Sequence, residues 1–582
     1  MSSFRHLASA ISIVTLLAAP PVLAQQPEPA GGPAEPPDLA SGLAGAYLAG
    51  RVAVASDNFL QMALNYDRIL QADPENAGFR ELAMQGYLLA GDFLRAAELA
   101  AEAVSRESGS QVAQIILQAD EFKREAHGAV LAAMEDGRQT GPLTDALAKA
   151  WAYLGMGSMS DARTAFDAII NDTPDLAPFA VYHKALALAY AGDMEGASDL
   201  LTGDVDGPVS LSRRGIVAHI TILSQLGRFD AALELATGMF GQNPEGDVAQ
   251  IMAELADGRP VPFTIVQSAR DGMAETYLLL ASALIGEQGD WLPLIYARLA
   301  LALRPDHPDA ILLAGELLEQ VAQYDLAQQV YDQMPQDDPQ FLNAQLGKAN
   351  ALYRAGDTDA AIDWLQGFVA DTPDSIMAFS TLGDMLRQEE RFEEAAAAYA
   401  RAIDLIGDVE ERHWMLLFTY AIALERMGDW DSAETQFRRA LEFVPDEPQV
   451  LNYLGYSLVE QQRNLDEALD MIERAVAGEP DSGYIVDSLG WALFRMGQYE
   501  DAVPVMERAV ELMPNDPILN DHLGDVYWAV GRHREARFQW SRAISFAPHP
   551  DLDLDRVRSK LDVGLDAVLA EEGAPALGAS NE

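Results

Sequence analysis

The stretch 517–548, PILNDHLGDVYWAVGRHREARFQWSRAISFAP, reads as helix, turn, helix, stop. Its first half carries Leu523-Gly524 and Tyr527 at helical spacing, and Gly531 breaks the pattern. Its second half carries Ala536, Trp540 and Ala543 at i, i+4 and i+7. Pro548, with no N–H to continue a helix, closes the unit. The small residues let two antiparallel helices approach closely, and the large residue four positions after the alanine fills the space left. The mid-unit glycine accepts the backbone angles of a tight turn.

The same order recurs upstream. Leu489-Gly490, Leu493, Gly497, Ala502, Met506, Ala509 and Pro514 make one unit. Leu454-Gly455, Leu458, Ala468, Ile472, Ala475 and Pro480 make another, with one extra residue near Asn464. The alanine that opens each second helix marks the period: Ala327, Ala361, Ala395, Ala433, Ala468, Ala502 and Ala536, with Ala96, Ala162, Ala197 and Ala232 before them. A period of about 34 residues marks stacked repeats, in which each unit buries its apolar face only against its neighbours.

On these residues the chain resembles the tetratricopeptide repeat family, with Asn520 where the family has an early Trp. Seven consecutive units run from Pro308 to Pro548 at nearly constant phase. The resemblance implies an all-α, right-handed superhelical solenoid of antiparallel helix hairpins, about 13–14 repeats in all. The N-terminal units are more divergent: Tyr66, Ile69 and Pro74 end the first, Gly157, Ala162, Phe166 and Pro174 mark another, and 108–140 fits poorly.

The expected organisation follows. Residues 1–24 read as a signal peptide, with Arg5 as the positive start, an apolar run from Leu7 to Ala19, and a small-residue cleavage site at Val22-x-Ala24. An uncleaved anchor is the alternative. Residues 25–42 form a flexible Pro/Gly/Ala-rich linker, 43–246 a divergent array, and 247–273 an irregular connection containing Gly258-Arg259-Pro260-Val261-Pro262. The regular array spans 274–548, a single amphipathic helix with Val557, Leu561, Leu565 and Leu569 on one face caps it over 549–570, and 571–582 is a disordered tail.

Composition narrows the function. There is no cysteine, which removes disulfides, thiolate nucleophiles and a lipidated anchor. Ninety acidic residues against 39 basic ones give a net charge of −51, which repels nucleic acid and anionic lipid. The nine histidines form no His-x-x-x-His pair, and no phosphate loop or Gly-x-Ser-x-Gly elbow occurs. Asp551-x-Asp553-x-Asp555 has the acidic spacing of a calcium loop, but Arg556 stands where its glycine belongs, so a capped helix start is the reading. No metal or cofactor is called for, and the repeats leave no room for a separate catalytic domain.

In the family the first helix of each unit lines the inner groove. By that phase the groove-facing residues here include Phe418, Ile422, Tyr456, Tyr484, Trp491, Phe494, Asp521, Asp525 and Trp528. Aromatic rings edged with carboxylates suit peptide segments carrying apolar and basic residues. The family's clamp for acidic C-terminal peptides needs a Lys where Leu346 stands, although Asn350 matches its partner position. The C-terminal half is similar to exported tetratricopeptide proteins of the bacterial envelope, some of which are adaptors for periplasmic processing proteases. The resemblance implies a non-catalytic protein-binding scaffold in the periplasm, in contact with the membrane only through partners. A structural component of an outer-membrane assembly or polysaccharide-export complex is the alternative.

Overall fold

The computed structural model describes residues 39–106, 109–203, 212–242, 244, 246–286, 291–549, 551–573 and 577. The expected signal peptide and most of the expected linker lie outside these residues, as does most of the expected tail. Among the described residues there are 31 α-helices, one short 3-10 helix at Glu411–His413, and no strand. Fourteen antiparallel hairpins account for all but three of the α-helices.

The alanine period is the packing period. All eleven alanines that mark it are 0 % exposed. Their partners are the small residues of the facing helix: a Cβ on Gly383 would lie 2.6 Å from the Tyr399 ring, and one on Gly455 would lie 2.7 Å from Ile472. Gly490 and Gly524 are closed in the same way by Met506 and Trp540. In the turn between helices Gly497 and Gly531 take φ of 77° and 80°, in the left-handed region. Where the turn lacks glycine, at Ala322, Glu390 and Gln462, a side-chain-bearing residue takes φ of 54–57° instead.

The first helices of successive hairpins also pack on one another, as in Pro448–Glu460 against Gly483–Arg495 and Gly483–Arg495 against Pro517–Ala529. They therefore form the inner layer of the solenoid, and the second helices form the outer one. Residues 111–135, within the poorly fitting stretch 108–140, are a hairpin like the rest. Its second helix, His127–Glu135, has nine residues and buries only Val130, which explains its weak sequence signature.

The structure departs from the expected element boundaries in three places. The first helix starts at Leu39, inside the expected linker. The connection 247–273 is not irregular throughout: Asp247–Ala256 and Ala269–Ala283 are helices, and only 257–268 is non-helical. The terminal cap is two helices, Leu554–Val563 and Leu565–Glu571, because Gly564 takes φ of 89° between them.

The largest difference is in how the two arrays meet. The hairpin Ala269–Ala283 and Leu292–Leu303 does not simply follow the N-terminal array. It lies against that array's inner helices, Ala77–Ala90, Gln111–Lys123, Pro142–Gly155 and Ala177–Tyr190. Ten residues of each inserted helix are buried, including nearly the whole of Leu292–Leu303. Helices apolar on every side are stable only when surrounded. The N-terminal groove is thus filled by the chain itself.

Polar contacts fix the insertion. Trp291 Nε1 donates to Asp57 Oδ1 at 2.8 Å, Tyr277 Oη to Gln118 Oε1 at 3.2 Å, and Arg298 Nε to the Leu89 carbonyl at 2.9 Å. Arg214 Nε donates to Glu275 Oε2 at 2.8 Å, and His307 Nε2 lies 3.0 Å from Glu275 Oε1. Burial works against ionisation of Glu275, but the Arg214 guanidinium and the hydrogen bond with His307 outweigh it and hold the carboxyl far below its usual range.

These buried groups make a pH prediction. Burial pushes the His183 imidazole down to about 4. Trp151 Nε1 donates to its Nδ1 at 3.3 Å, which fits a neutral ring. Burial also lowers His127, His219 and His307. A histidine depressed on folding stabilises above its unfolded value and loses that stabilisation as pH falls toward its folded value. For His183 the window is pH 6.5 to 4, with a loss of about 3 kcal/mol across it. His522 has the opposite sign. Burial disfavours its charge, but Asp487, 2.9 Å away, outweighs burial and raises it. Its contribution is present below 6.5 and fades as pH rises through the folded value. Hydrogen exchange, corrected for intrinsic rates, is expected to show helix 177–190 losing protection from pH 8 to 5.5 while helix 517–529 gains it. Uniform change along the chain would contradict this assignment.

Candidate functional site

With the N-terminal groove filled, the open inner surface belongs to the first helices of the C-terminal array. Ile376–Gln388, Trp414–Arg426, Pro448–Glu460 and Gly483–Arg495 contribute its centre. Met377, Met415 and Tyr484 at the second position of their helices, and Asp384, Ile422, Tyr456 and Trp491 at the ninth, keep solvent access.

The nine residues singled out from sequence divide. Tyr484 is 45 % exposed, and Ile422, Tyr456, Trp491 and Phe494 are half-buried with a face toward solvent. Trp491 anchors this surface. Its ring stacks on Phe494 at 4.9 Å and on His522 at 4.0 Å between centroids. Its Nε1 donates to Glu460 Oε1 at 2.6 Å, and Arg495 pairs with Glu460 at 3.3 Å. Indole and imidazole are held flat before any partner arrives, which lowers the ordering cost of binding. Burial raises the Tyr456 hydroxyl pKa, and the carboxylates of Glu460 and Asp487 raise it further.

The other four are not open, which corrects their reading as free groove contacts. Phe418 is 8 % exposed and packs in the core, 6.0 Å from Phe437 and 5.9 Å from Tyr453. Asp521, Asp525 and Trp528 are covered by the C-terminal helices. Lys560 Nζ donates to Asp521 Oδ2 and Asp525 Oδ1, each at 2.7 Å, and is itself 0 % exposed. Trp528 Nε1 donates to Asp566 Oδ2 at 2.9 Å, with Gly564 against the ring. Leu554–Val563 packs on His533–Phe546 as the first helix of a further hairpin would, so the last inner face is spent on the cap. Asp553 caps that helix by accepting from Arg556 N at 2.9 Å, as expected of the acidic triplet.

Two residues of the same surface are not aromatic. Met377 and Met415 are 40 % and 47 % exposed and occupy the second position of their helices, as Tyr484 does of its own. The repeat phase alone would have found them. Methionine adapts its shape to irregular apolar partners. The surface is therefore a ladder of soft and aromatic side chains, with Asp384, Glu425 and Glu460 beside it.

The geometry defines a helical-hairpin solenoid of the kind that serves as a protein-binding scaffold. Tetratricopeptide repeat models match residues 322–382, 374–446, 419–483 and 486–516, so these residues are tetratricopeptide repeats. A TPR repeat-containing protein of Pseudomonas aeruginosa is 29 % identical over 163 residues, 28 % of this chain. The match spans 27 % of that relative's length. Among solved structures, a chain of the APC/C hetero-tetramer Cut9–Hcn1 overlaps 90 % of this chain and 96 % of its own, at 14 % identity and a TM-score of 0.38. MamA from Desulfovibrio magneticus RS-1 overlaps 30 % of this chain and 97 % of its own, at 21 % identity and a TM-score of 0.27. No helix among the described residues is long and apolar enough to cross a membrane.

Proposed function

We propose that this protein is a non-catalytic scaffold of the bacterial envelope that holds protein segments against residues 376–495 and presents them to a periplasmic processing protease. One observation carries the binding part. The inner face is filled by the chain's own hairpin at one end and capped at the other, while between them Met377, Met415, Tyr484 and Trp491 remain accessible beside carboxylates. A fixed aromatic centre with an acidic border favours apolar segments bearing lysine or arginine. The net charge of −51 steers such partners in and keeps nucleic acid away. Export of the mature chain from Gln25 rests on the signal-like residues 1–24.

Crosslinking in intact cells, followed by purification, tests the reading. Wild-type protein is expected in the periplasmic fraction with its N-terminus at Gln25, carrying a processing peptidase and its substrates. Trp491→Ala removes the ring that organises the surface, with an expected loss of about 2 kcal/mol of binding, roughly thirtyfold. Recovery of polysaccharide-export or outer-membrane assembly components in place of a peptidase would favour the structural role instead. Undiminished capture by Trp491→Ala would remove the surface from consideration.

A further inference from the structure

A second site lies at the seam between the arrays. A cleft of about 280 Å³ opens where the turn after helix Ala77–Ala90 meets the inserted helix Leu292–Leu303 and the outer face of Tyr324–Tyr331. Two cations line it. Arg298 is 6 % exposed, and no carboxylate pairs with it among the described residues. Its Nε is satisfied by the Leu89 carbonyl, and its guanidinium lies against Gly91, where a Cβ would come within 3.4 Å of Nη1. Lys123 lines the cleft as well, its Nζ donating to the Ala302 carbonyl at 2.8 Å and lying 5.1 Å from the centre of the Phe93 ring. The side-chain amides of Gln329 and Gln333 belong to exposed residues at the rim.

The chemistry of this lining is opposite to that of the chain. Ninety residues of 582 are acidic, yet none of the eleven that line the cleft is. A guanidinium nine-tenths buried without a counter-ion is costly, and such charges in proteins are paired. The carbonyl end of helix Ala77–Ala90 compensates part of its charge. We propose that the cleft binds a small molecule with two anionic groups, one received by Arg298 and the other by Lys123, with Gln329 and Gln333 donating at the rim. Arginine presents a planar fork that matches a carboxylate or a phosphate, and lysine supplies a point charge for the second group. The cleft is formed by residues 88–93 and 123 of one array and 298–333 of the other. A bound anion would therefore tie the two arrays together and raise their joint stability by mass action.

Calorimetric titration of the full chain at low ionic strength tests this, with succinate and methylenediphosphonate as the probes. Saturable binding of one equivalent of either is expected, with a parallel rise in the thermal midpoint. The tighter of the two identifies the anion as carboxylate-like or phosphate-like. Arg298→Gln and Gln333→Glu are each expected to weaken binding about tenfold or more. Gln333 is exposed, so its variant keeps the fold even if Arg298→Gln does not, and it places a negative charge at the rim. Absence of saturable binding by both probes would overturn the proposal and leave Arg298 as a cap for helix Ala77–Ala90. Equal binding by Gln333→Glu and wild type would overturn it too.

Discussion

Gly272→Leu is expected to expel the inserted hairpin from the N-terminal array. Gly272 sits on helix Ala269–Ala283, and any Cβ there runs into the six-membered ring of Trp151. Trp151 is 0 % exposed, packs edge-on against Phe166 at 5.9 Å, and donates to His183. A flexible neighbour could swing aside, but this ring has nowhere to go. Overpacking of a rigid interior costs about 1–3 kcal/mol and sometimes more, and leucine adds four carbons to a space with no room for one. The contacts of Trp291, Tyr277 and Arg298 lie along the same inserted hairpin, so tilting the helix weakens them together. The expected result is a loss of at least about 3 kcal/mol in the unfolding of 39–303, with rapid proteolysis at the non-helical stretch 257–268. Gly238→Leu is the control. Gly238 is also helical but faces open space, so its variant is expected within about 1 kcal/mol of wild type. A Gly272 variant as stable and as protease-resistant as the control would show that the two arrays do not depend on each other.

This contact also shows where sequence reading stops. The hairpin itself was legible, because Ala502, Gly490 and Met506 or Ala536, Gly524 and Trp540 meet within one unit and every unit repeats the arrangement. The fold follows from such local contacts, and the inner face follows from their phase. Trp151 against Gly272 spans two units that share no periodic relation. What the sequence did hold was chemical: LPLIYARLALAL at 292–303 has no polar face, and a helix on the rim of a solenoid needs one. The repeat period alone does not show that it must be enclosed. The same limit governs the nine groove residues. Phase puts all nine on the first helices of their hairpins, but phase cannot tell an open rung from one that another part of the chain has covered.

The covered rungs allow the second large effect to be stated. Lys560→Met is expected to release the C-terminal cap. Lys560 carries no signal in the sequence, where Val557, Leu561, Leu565 and Leu569 mark the apolar face. It shares a turn with Val557, and its ammonium is fully buried between Asp521 and Asp525. Trp540 Nε1 donates to Asp525 Oδ1 at 2.9 Å, and Arg556 lies 3.9 Å from its other oxygen. Burial, then the charge of Asp525, already raises the Asp521 pKa, and methionine would take away the cation that opposes both. Leaving buried carboxylates without a partner costs about 3–5 kcal/mol. In a stack of repeats that loss falls on the terminal unit, which frays before the rest. Acrylamide quenching of tryptophan fluorescence is expected to increase as Trp528 is uncovered. The deficit should shrink as pH falls, because a protonated carboxyl no longer needs Lys560. The triple variant Lys560→Met/Asp521→Asn/Asp525→Asn separates the cause from the volume change. With the charges gone, an apolar side chain in the same space is expected to restore most of the stability. If the triple variant is as unstable as Lys560→Met, packing and not charge holds the cap. If Lys560→Met is itself unchanged, then Asp521, Asp525 and Trp528 do not need the cap, and the open surface extends one hairpin further than the structure places it.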